Sequence, residues 1–464
     1  MSDEDLHYKE LLEVSELIAR REVSPVELTS SLLDRIGALD GELGSYADVL
    51  ADGALEQAAI AEQEIASGGR RGPLHGIPIA IKDIFDKAGT PTVAGMPIRI
   101  GQVATKDSTV VRKLDEAGAV LLGKLHLTEG VYAEYVEPFR PPRNPWNPDR
   151  WAGASSSGNG VAVAAGLCFG SLGSDTGGSI RLPSAANGVT GIKPTWGRVS
   201  RSGVFELADT LDHIGPICRS AADAGAVLAA VAGPDPLDPT ASQAPLGALV
   251  DVEPGRLDGV VLGLDSQRVF KGIDEPTAVG VHAAIDTFVS LGARIEEVHL
   301  PDPTQVVDDW FGVCAVQTAL AHRDTYPRYA DRYGQALSEL IERGRSMTAV
   351  EHQRLLLRRA EYRGRIEVAV HQVDALILPA MAFVAPAMER MVHMDDDTIS
   401  GVHRFTCPFT MSGHPTITMP AGFSADGLPT AVQLVTKNFE EALLVRLGAS
   451  FQAVTDWHRR HPKP

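Results

Sequence analysis

The sequence predicts an α/β fold, a layered arrangement of strands and helices, and three observations predict it. A capped helix opens the chain, an apolar run at 76–86 is followed by a helix and a second apolar run, and residues 259–300 read as strand, helix, strand. Strands that alternate with helices in this way belong to an α/β layer architecture.

Each element follows from its residues. In "VSPVELTSSLLDRI", Ser24 stands as cap, Pro25 at the first turn and Glu27 three residues after the cap. Leu28, Leu32 and Ile36 then recur at helical spacing, and the first sixty residues read as helical. "GIPIAIKDIFD" (76–86) is short, β-rich and apolar until its charged end, which describes a buried strand. An irregular piece with Pro91, Thr92, Gly95 and Pro97 leads to a helix around 108–118 and a strand at "AVLLGKL". Between Trp151 and Val204 glycine becomes frequent, at 153, 158, 160, 166, 170, 173, 177, 178, 188, 191, 197 and 203. That density means backbone packed against backbone or ligand, or turns that need positive φ. The Pro-rich "GPDPLDPTASQAP" (233–245) is the best candidate boundary. After it come the β-α-β unit ("GVVLGLD", a helix near 276–291, "RIEEVHL"), long helices of mixed charge over 303–372, and two strands, "DALILPA" and "PTITMPAGF". No repeat and no low-complexity segment interrupts this order, and nothing cuts it into independent domains.

Composition narrows the function. The 464 residues are 44 % hydrophobic and 22 % charged, the balance of a globular protein with a sizeable core. A net charge of −18 argues against nucleic acid or anionic membrane as a partner. The acidic start "MSDEDLHYKE" is unlike a secretory signal peptide, and no apolar run reaches the roughly 18 residues needed to span a bilayer. Cys168, Cys218, Cys314 and Cys407 form no C-x-x-C pair and read as reduced, buried thiols of a cytoplasmic protein. H-E-x-x-H is absent, so no metal is expected, and the terminal "DWHRRHP" reads as a solvated tail.

The candidate chemistry centres on "GSDTGGSIRLPS" (173–184). It lacks the lysine of a phosphate-binding loop and the G-x-G start of a dinucleotide fingerprint. There is no G-x-S-x-G elbow either, and His213 beside Asp212 reads as a structural histidine. Lysine remains as the base for Ser179, because a serine hydroxyl needs a proton acceptor to become a nucleophile. A lysine accepts a proton only when neutral, so its ordinary pKa of about 10.4 must be brought down by about 3 pH units through desolvation. Lys82 ends the apolar run "GIPIAI", where an isolated lysine is ordinarily a snorkelling edge residue. "GASSSGNG" adds a hydroxyl cluster that turn chemistry alone would also explain. Joined together, these pieces form a relay in which Ser179 passes its proton to Ser155 and Ser155 to Lys82. The glycines before Ser179 let backbone N–H groups converge as an oxyanion hole, and Asp175 and Arg181 pair to brace the turn.

These residues resemble the amidase signature family. Its hallmarks are a lysine after "GIP-x-x-x-K-D", a Gly/Ser-rich segment, and "G-[ST]-D-[TI]-GGS-[IV]-R-x-P" running into "GLKPT-x-GR-x-S". This chain has "GIPIAIKD", "GASSSGNG" and "GSDTGGSIRLPSAANGVTGIKPTWGRVS" in that order, with "DTLDHIGPICRSAADAG" and "SGHPTITMPAGFSADGLPTAVQLV" downstream. Ala154 and Ser157 replace glycines of the usual segment, Asn187 stands where cysteine is frequent, and Met411 where many members have asparagine.

The resemblance implies one α/β/α domain over 1–464 around a large mixed sheet flanked by helices. Within it, 1–60 supplies N-terminal helices, 65–232 the signature core, and 250–464 the rest of the sheet and the substrate-pocket helices. It implies Ser179 as acyl nucleophile, Ser155 as bridging serine held through a cis peptide, and Lys82 as general base and acid. Thr176, Gly177, Gly178 and Ser179 would supply the oxyanion N–H groups, supported by Asp175, Arg181 and Ser156. The implied reaction is amide hydrolysis through an acyl-enzyme without cofactor or metal, on a small amide or carbamate, by a monomer or homodimer. Carbamates and aryl esters fit the same route. A glutaminase-type subunit of a tRNA amidotransferase is the alternative of another class. Substrate choice is expected from 131–146, 305–345 and 380–411, with Tyr132, Tyr135 and Met411 as pocket candidates.

Overall fold

The computed structural model describes residues 6–463; residues 1–5, which begin the acidic start, and Pro464 lie outside the described residues. Eleven strands among the described residues form one sheet. They are β1 (Tyr46–Val49), β2 (Pro78–Lys82), β3 (Val120–Leu125), β4 (Gly170–Asp175), β5 (Thr190–Lys193) and β6 (His213–Cys218), then β7 (Val261–Leu264), β8 (Arg294–Glu297), β9 (Ala375–Pro379), β10 (Thr416–Phe423) and β11 (Pro429–Val435). Their order is β1-β3-β2-β4-β6-β5-β10-β11-β9-β7-β8. The sheet is mixed: β2 runs parallel to β3 and β4, and β7 to β8 and β9, while the remaining pairs are antiparallel.

Burial explains the apolar run at 76–86. Every residue of β2 is buried, and the strand lies between two parallel neighbours. Parallel strands covered on both faces read as continuous hydrophobic runs rather than alternating ones. Helices cover the sheet: Ser157–Ala164 packs against β4, Ala221–Val231 against β5 and β6, and Glu275–Ser290 against β10 and β11. The carboxyl ends of β2 and β4, at Lys82 and Asp175, carry the candidate chemistry, as in other open α/β sheets.

Most elements fall where the sequence places them. The helix Pro25–Leu43 is capped by Ser24, whose side chain accepts from the N–H groups of Val26 and Glu27 at 3.1 Å. The unit at 259–300 forms as β7, the helix Glu275–Ser290 and parallel β8. Three long helices, Thr304–Ala321, Gln335–Ser346 and Ala349–Val370, fill the stretch read as helical.

Two readings are corrected. The first sixty residues are not all helical, because Tyr46–Val49 form β1 at the sheet edge. Four residues with a register shift between Tyr46 and Asp48 are too few to show a strand period. "DWHRRHP" is not a loose tail either. His458 is buried beside Glu10, Arg459 pairs with Glu10 at 2.7 Å, and His461 stacks on Tyr8 with ring centroids 3.6 Å apart. The partners for this clasp come from the other end of the chain, where local sequence gives no sign of them.

Candidate active site

Lys82 is placed by β2 and buried completely. Its Nζ lies 2.7 Å from Ser155 Oγ and 2.9 Å from Ser174 Oγ. Burial pulls its pKa from the usual lysine range down to about 7, against the nearby charges of Asp212 and Asp175, which push it up. Ser155 follows a cis peptide at Ala154–Ser155. The segment around it is docked onto β4: Ser156 Oγ donates to the Ser174 carbonyl at 3.2 Å, and Asn159 Nδ2 to the Leu172 carbonyl at 2.9 Å. The short helix Ser157–Ala164 leaves directly from this segment.

Ser179 sits in the turn between β4 and the helix Arg181–Asn187, and is 9 % exposed where Lys82 and Ser155 are 0 % and 1 %. Asp175 organises the turn. Its Oδ1 accepts from Gly178 N at 2.8 Å and its Oδ2 from Ile180 N at 3.1 Å. Arg181 closes on both oxygens, Nη2 to Oδ1 at 2.8 Å and Nε to Oδ2 at 2.9 Å. Both side chains of this pair are fully buried, and Arg181 also donates to the Thr406 carbonyl, Gln433 Oε1 and Thr410 Oγ1. Burial alone would raise the Asp175 pKa, but the Arg181 guanidinium outweighs it and holds the carboxyl well below the usual carboxylate range.

Residues outside the glycine-rich core set the direction of the turn's peptides. Trp310 Nε1 donates to the Thr176 carbonyl and Thr406 Oγ1 to the Gly177 carbonyl, each at 2.6 Å. In a trans peptide the next N–H points the opposite way, so Gly177 N–H faces away from Trp310. Gly177 has no room for a side chain: a Cβ there would lie 2.4 Å from the Trp310 ring. Gly178 adopts φ +144°, a conformation that favours glycine. The structure changes one expectation here. Gly178 N–H is spent on Asp175 and is not a free oxyanion donor, which leaves Thr176, Gly177 and Ser179 of the expected four.

Hydrogen bonds join Lys82, Ser155, Ser156 and Ser174 at the carboxyl ends of β2 and β4, and join Asp175 and Arg181 to the turn that carries Thr176 and Ser179, so these groups make one site. Ser179 Oγ itself makes no hydrogen bond to Ser155 among the described residues. Tyr135 adjoins the site through a hydrogen bond between its hydroxyl and Ser157 Oγ. Tyr132 instead packs with Met96, Tyr326, Leu337 and Ile341. Met411 is a core residue whose carbonyl accepts from Arg359 Nε at 2.9 Å. Sequence reasoning missed Ser174, Trp310 and Thr406. Ser174 carried no signal of its own, because its place opposite the end of β2 depends on β4, a strand that "GSLGSD" does not announce. All four cysteines are free and buried. Among the described residues no group of three or more His, Cys, Asp or Glu side chains is arranged to hold a metal ion, and no helix is long and apolar enough to cross a membrane.

The Amidase family model matches residues 27–445. The chain belongs to the amidase family, the group marked by the amidase signature. It is 45 % identical over 464 residues to the Mycobacterium tuberculosis protein named "Putative amidase AmiD", covering 99 % of this chain and 97 % of that one. It is 34 % identical over 486 residues to a glutamyl-tRNA(Gln) amidotransferase subunit of Moorella thermoacetica, covering 99 % of each. The native peptide amidase of Stenotrophomonas maltophilia superposes with a TM-score of 0.82 at 27 % identity, over 98 % of each chain. The mixed α/β sheet with flanking helices is thus the amidase-signature fold, and the chain is an amidase-family hydrolase acting on carbon–nitrogen bonds.

Proposed function

We propose that this amidase is a serine hydrolase that cleaves a carboxylic amide through an acyl-enzyme on Ser179, with Ser155 and Lys82 as proton relay. The observation that carries the reading is a fully buried lysine, its pKa drawn down to about 7, within 2.7 Å of a serine hydroxyl. Neutral Lys82 takes the Ser155 proton while Ser155 takes that of Ser179, and Ser179 Oγ attacks the carbonyl carbon. The backbone N–H groups of Thr176, Gly177 and Ser179 stabilise the tetrahedral oxyanion. The relay returns its proton to the departing nitrogen, the C–N bond breaks, and water repeats the sequence on the acyl-enzyme to release a carboxylic acid. Base and acid are both supplied by the chain, so the route draws on no cofactor or metal.

The enzyme acts as a monomer or homodimer in the cytoplasm, on a small amide or carbamate, with no nucleic-acid or membrane partner. One experiment tests the chemistry and sorts the substrates. A fluorophosphonate should label wild type and not Ser179→Ala, and an anilide, a carbamate, an aryl ester and glutamine should be assayed side by side. Labelling of Ser179→Ala at the wild-type rate would sink the nucleophile. Hydrolysis of glutamine in preference to the other three would favour the reading as a tRNA amidotransferase component, which the Moorella relative supports.

A further inference from the structure

Ser174, whose hydroxyl is bonded to Lys82, also lines a cavity of about 30 Å³. Ile84, Val204, Phe205 and Ile214 form its apolar wall, and Ser174, Arg201, Glu206, Asp209 and Asp212 its polar one. It has room for about two water molecules. Arg201 has a donor to offer there: its side chain is 9 % exposed, and its buried Nη1 has no hydrogen-bond partner among the described residues.

Asp212 is the fixed point of this wall. Its Oδ1 accepts from Thr176 Oγ1 at 2.5 Å, and its Oδ2 from the N–H groups of Leu207 at 2.9 Å and Ala208 at 3.1 Å. One carboxylate therefore touches the proposed oxyanion loop and shares a cavity with the residue that bonds Lys82. Two carboxylates act on Lys82, and they differ in one respect. Asp175 is closed by the Arg181 guanidinium, whereas Asp212 has no ion-pair partner within 4 Å among the described residues. Arg201, across the same cavity, offsets its charge only from a distance, without the closed two-pronged contact that Arg181 makes with Asp175.

We propose that Asp212 is a positioning residue for the reaction, the negative charge that decides how readily Lys82 holds its proton. The proposal rests on the reading of Lys82 as the base. Lys82 is faced by Ser155, Ser174, Asp175 and Asp212. Asp212 is faced by Thr176, by Arg201, Glu206 and Asp209 around the cavity, and by Cys314 of the helix Thr304–Ala321. Burial raises the Asp212 carboxyl to about 6, against the hydrogen bonds from Thr176, Leu207 and Ala208 that favour its ionised form. Above that pH it is negative and holds the proton on Lys82; without the charge, Lys82 gives the proton up at lower pH.

The test is the pH dependence of fluorophosphonate labelling, which needs no knowledge of the natural substrate. In wild type the labelling rate should rise with pH through a limb near 7. In Asp212→Asn, which keeps an oxygen for the two N–H groups and a polar group for Thr176, the limb should move to lower pH by about half to one unit. A purely structural role would lower the plateau and leave the limb in place, and that result, or a limb moved to higher pH, overturns the proposal. Should Asp212→Asn fail to fold, Thr176→Val serves instead. It removes the hydroxyl that favours ionised Asp212, so its limb should move in the same direction and by less; an unmoved limb there is equally fatal. If wild type is not labelled at any pH, the serine-lysine reading itself has failed, an outcome separate from either result for Asp212.

Discussion

Lys82 and Lys193 invite comparison because burial treats them alike and their partners do not. Each is the last residue of a strand, β2 or β5, and each is fully buried. Desolvation pulls both well down from the usual lysine range, Lys82 to about 7, with Arg181 adding to the effect at Lys193. Lys82 is met by two hydroxyls, Ser155 and Ser174, and Lys193 by two carbonyl oxygens, Pro194 at 3.2 Å and His414 at 2.6 Å. A hydroxyl can give a proton as well as accept a hydrogen bond, whereas a carbonyl can only accept. A neutral amine at 82 therefore has a proton to take, and one at 193 does not. Lys124 on β3 is a third case, also buried, fastened to Asp83 at 2.9 Å as an ion pair. Lys124 also has a hydroxyl, Thr92 Oγ1 at 2.9 Å, but is committed to its carboxylate, so on the proposed reading a base needs burial, a proton-giving neighbour and no ion-pair partner in contact.

The largest expected effect separates the first two. Lys82→Met should lower kcat by on the order of 10⁴-fold or more, the upper end of what a positioned general base contributes. Lys193→Met should keep kcat per folded molecule within about tenfold. Both are read by steady-state kinetics on material whose folding is checked by circular dichroism, and equal losses in the two variants would break the distinction. pH adds a second axis. Lys82 works when neutral, so kcat/KM should fall as pH drops through 7 and level off above it. The same limb should survive in Lys193→Met.

A smaller effect is expected where the turn is braced. Arg181 holds Asp175 with a two-pronged guanidinium and ties the turn to Thr406, Thr410 and Gln433. Arg181→Lys keeps the charge and loses the fork. Asp175 would then hold Gly178 and Ile180 less firmly, and Ser179 between them would wander. We expect kcat to fall by about 10²-fold with KM nearly unchanged, the cost of a misplaced nucleophile. A rise in KM alone would show that the brace serves binding instead.

How much of this was legible in sequence depended on distance along the chain. The buried strand ending in Lys82, the glycine turn before Ser179 and the hydroxyl cluster at Ser155 were readable because each is a short stretch with its own composition. The Asp175–Arg181 pair was readable because both members flank one turn. β4 was not readable as a strand, since "GSLGSD" holds a single large apolar residue, Leu172, and is buried by close backbone packing rather than by side chains. Trp310 and Thr406 were invisible for another reason. They meet the turn across separations of 134 and 229 residues, which only the fold can close.

Ser174 draws the finest line between Lys82 and Lys193. It is the second hydroxyl on Lys82, at 2.9 Å, and its carbonyl and N–H are both engaged by Ser156 Oγ. Ser174→Ala leaves Lys82 with Ser155 alone, so the amine keeps its proton source and loses the group that fixes its direction. Loss of one such hydrogen bond corresponds to about tenfold in kcat, with KM unaltered. Ser174→Thr should recover most of the rate, because the hydroxyl is retained and the adjoining cavity of about 30 Å³ gives the added methyl room. The acid limb should stay within about 0.5 pH unit of wild type in Ser174→Ala, since no charge has changed. A full wild-type rate in Ser174→Ala would mean that Ser155 alone orients the lysine, and that one hydroxyl, not two, separates Lys82 from Lys193.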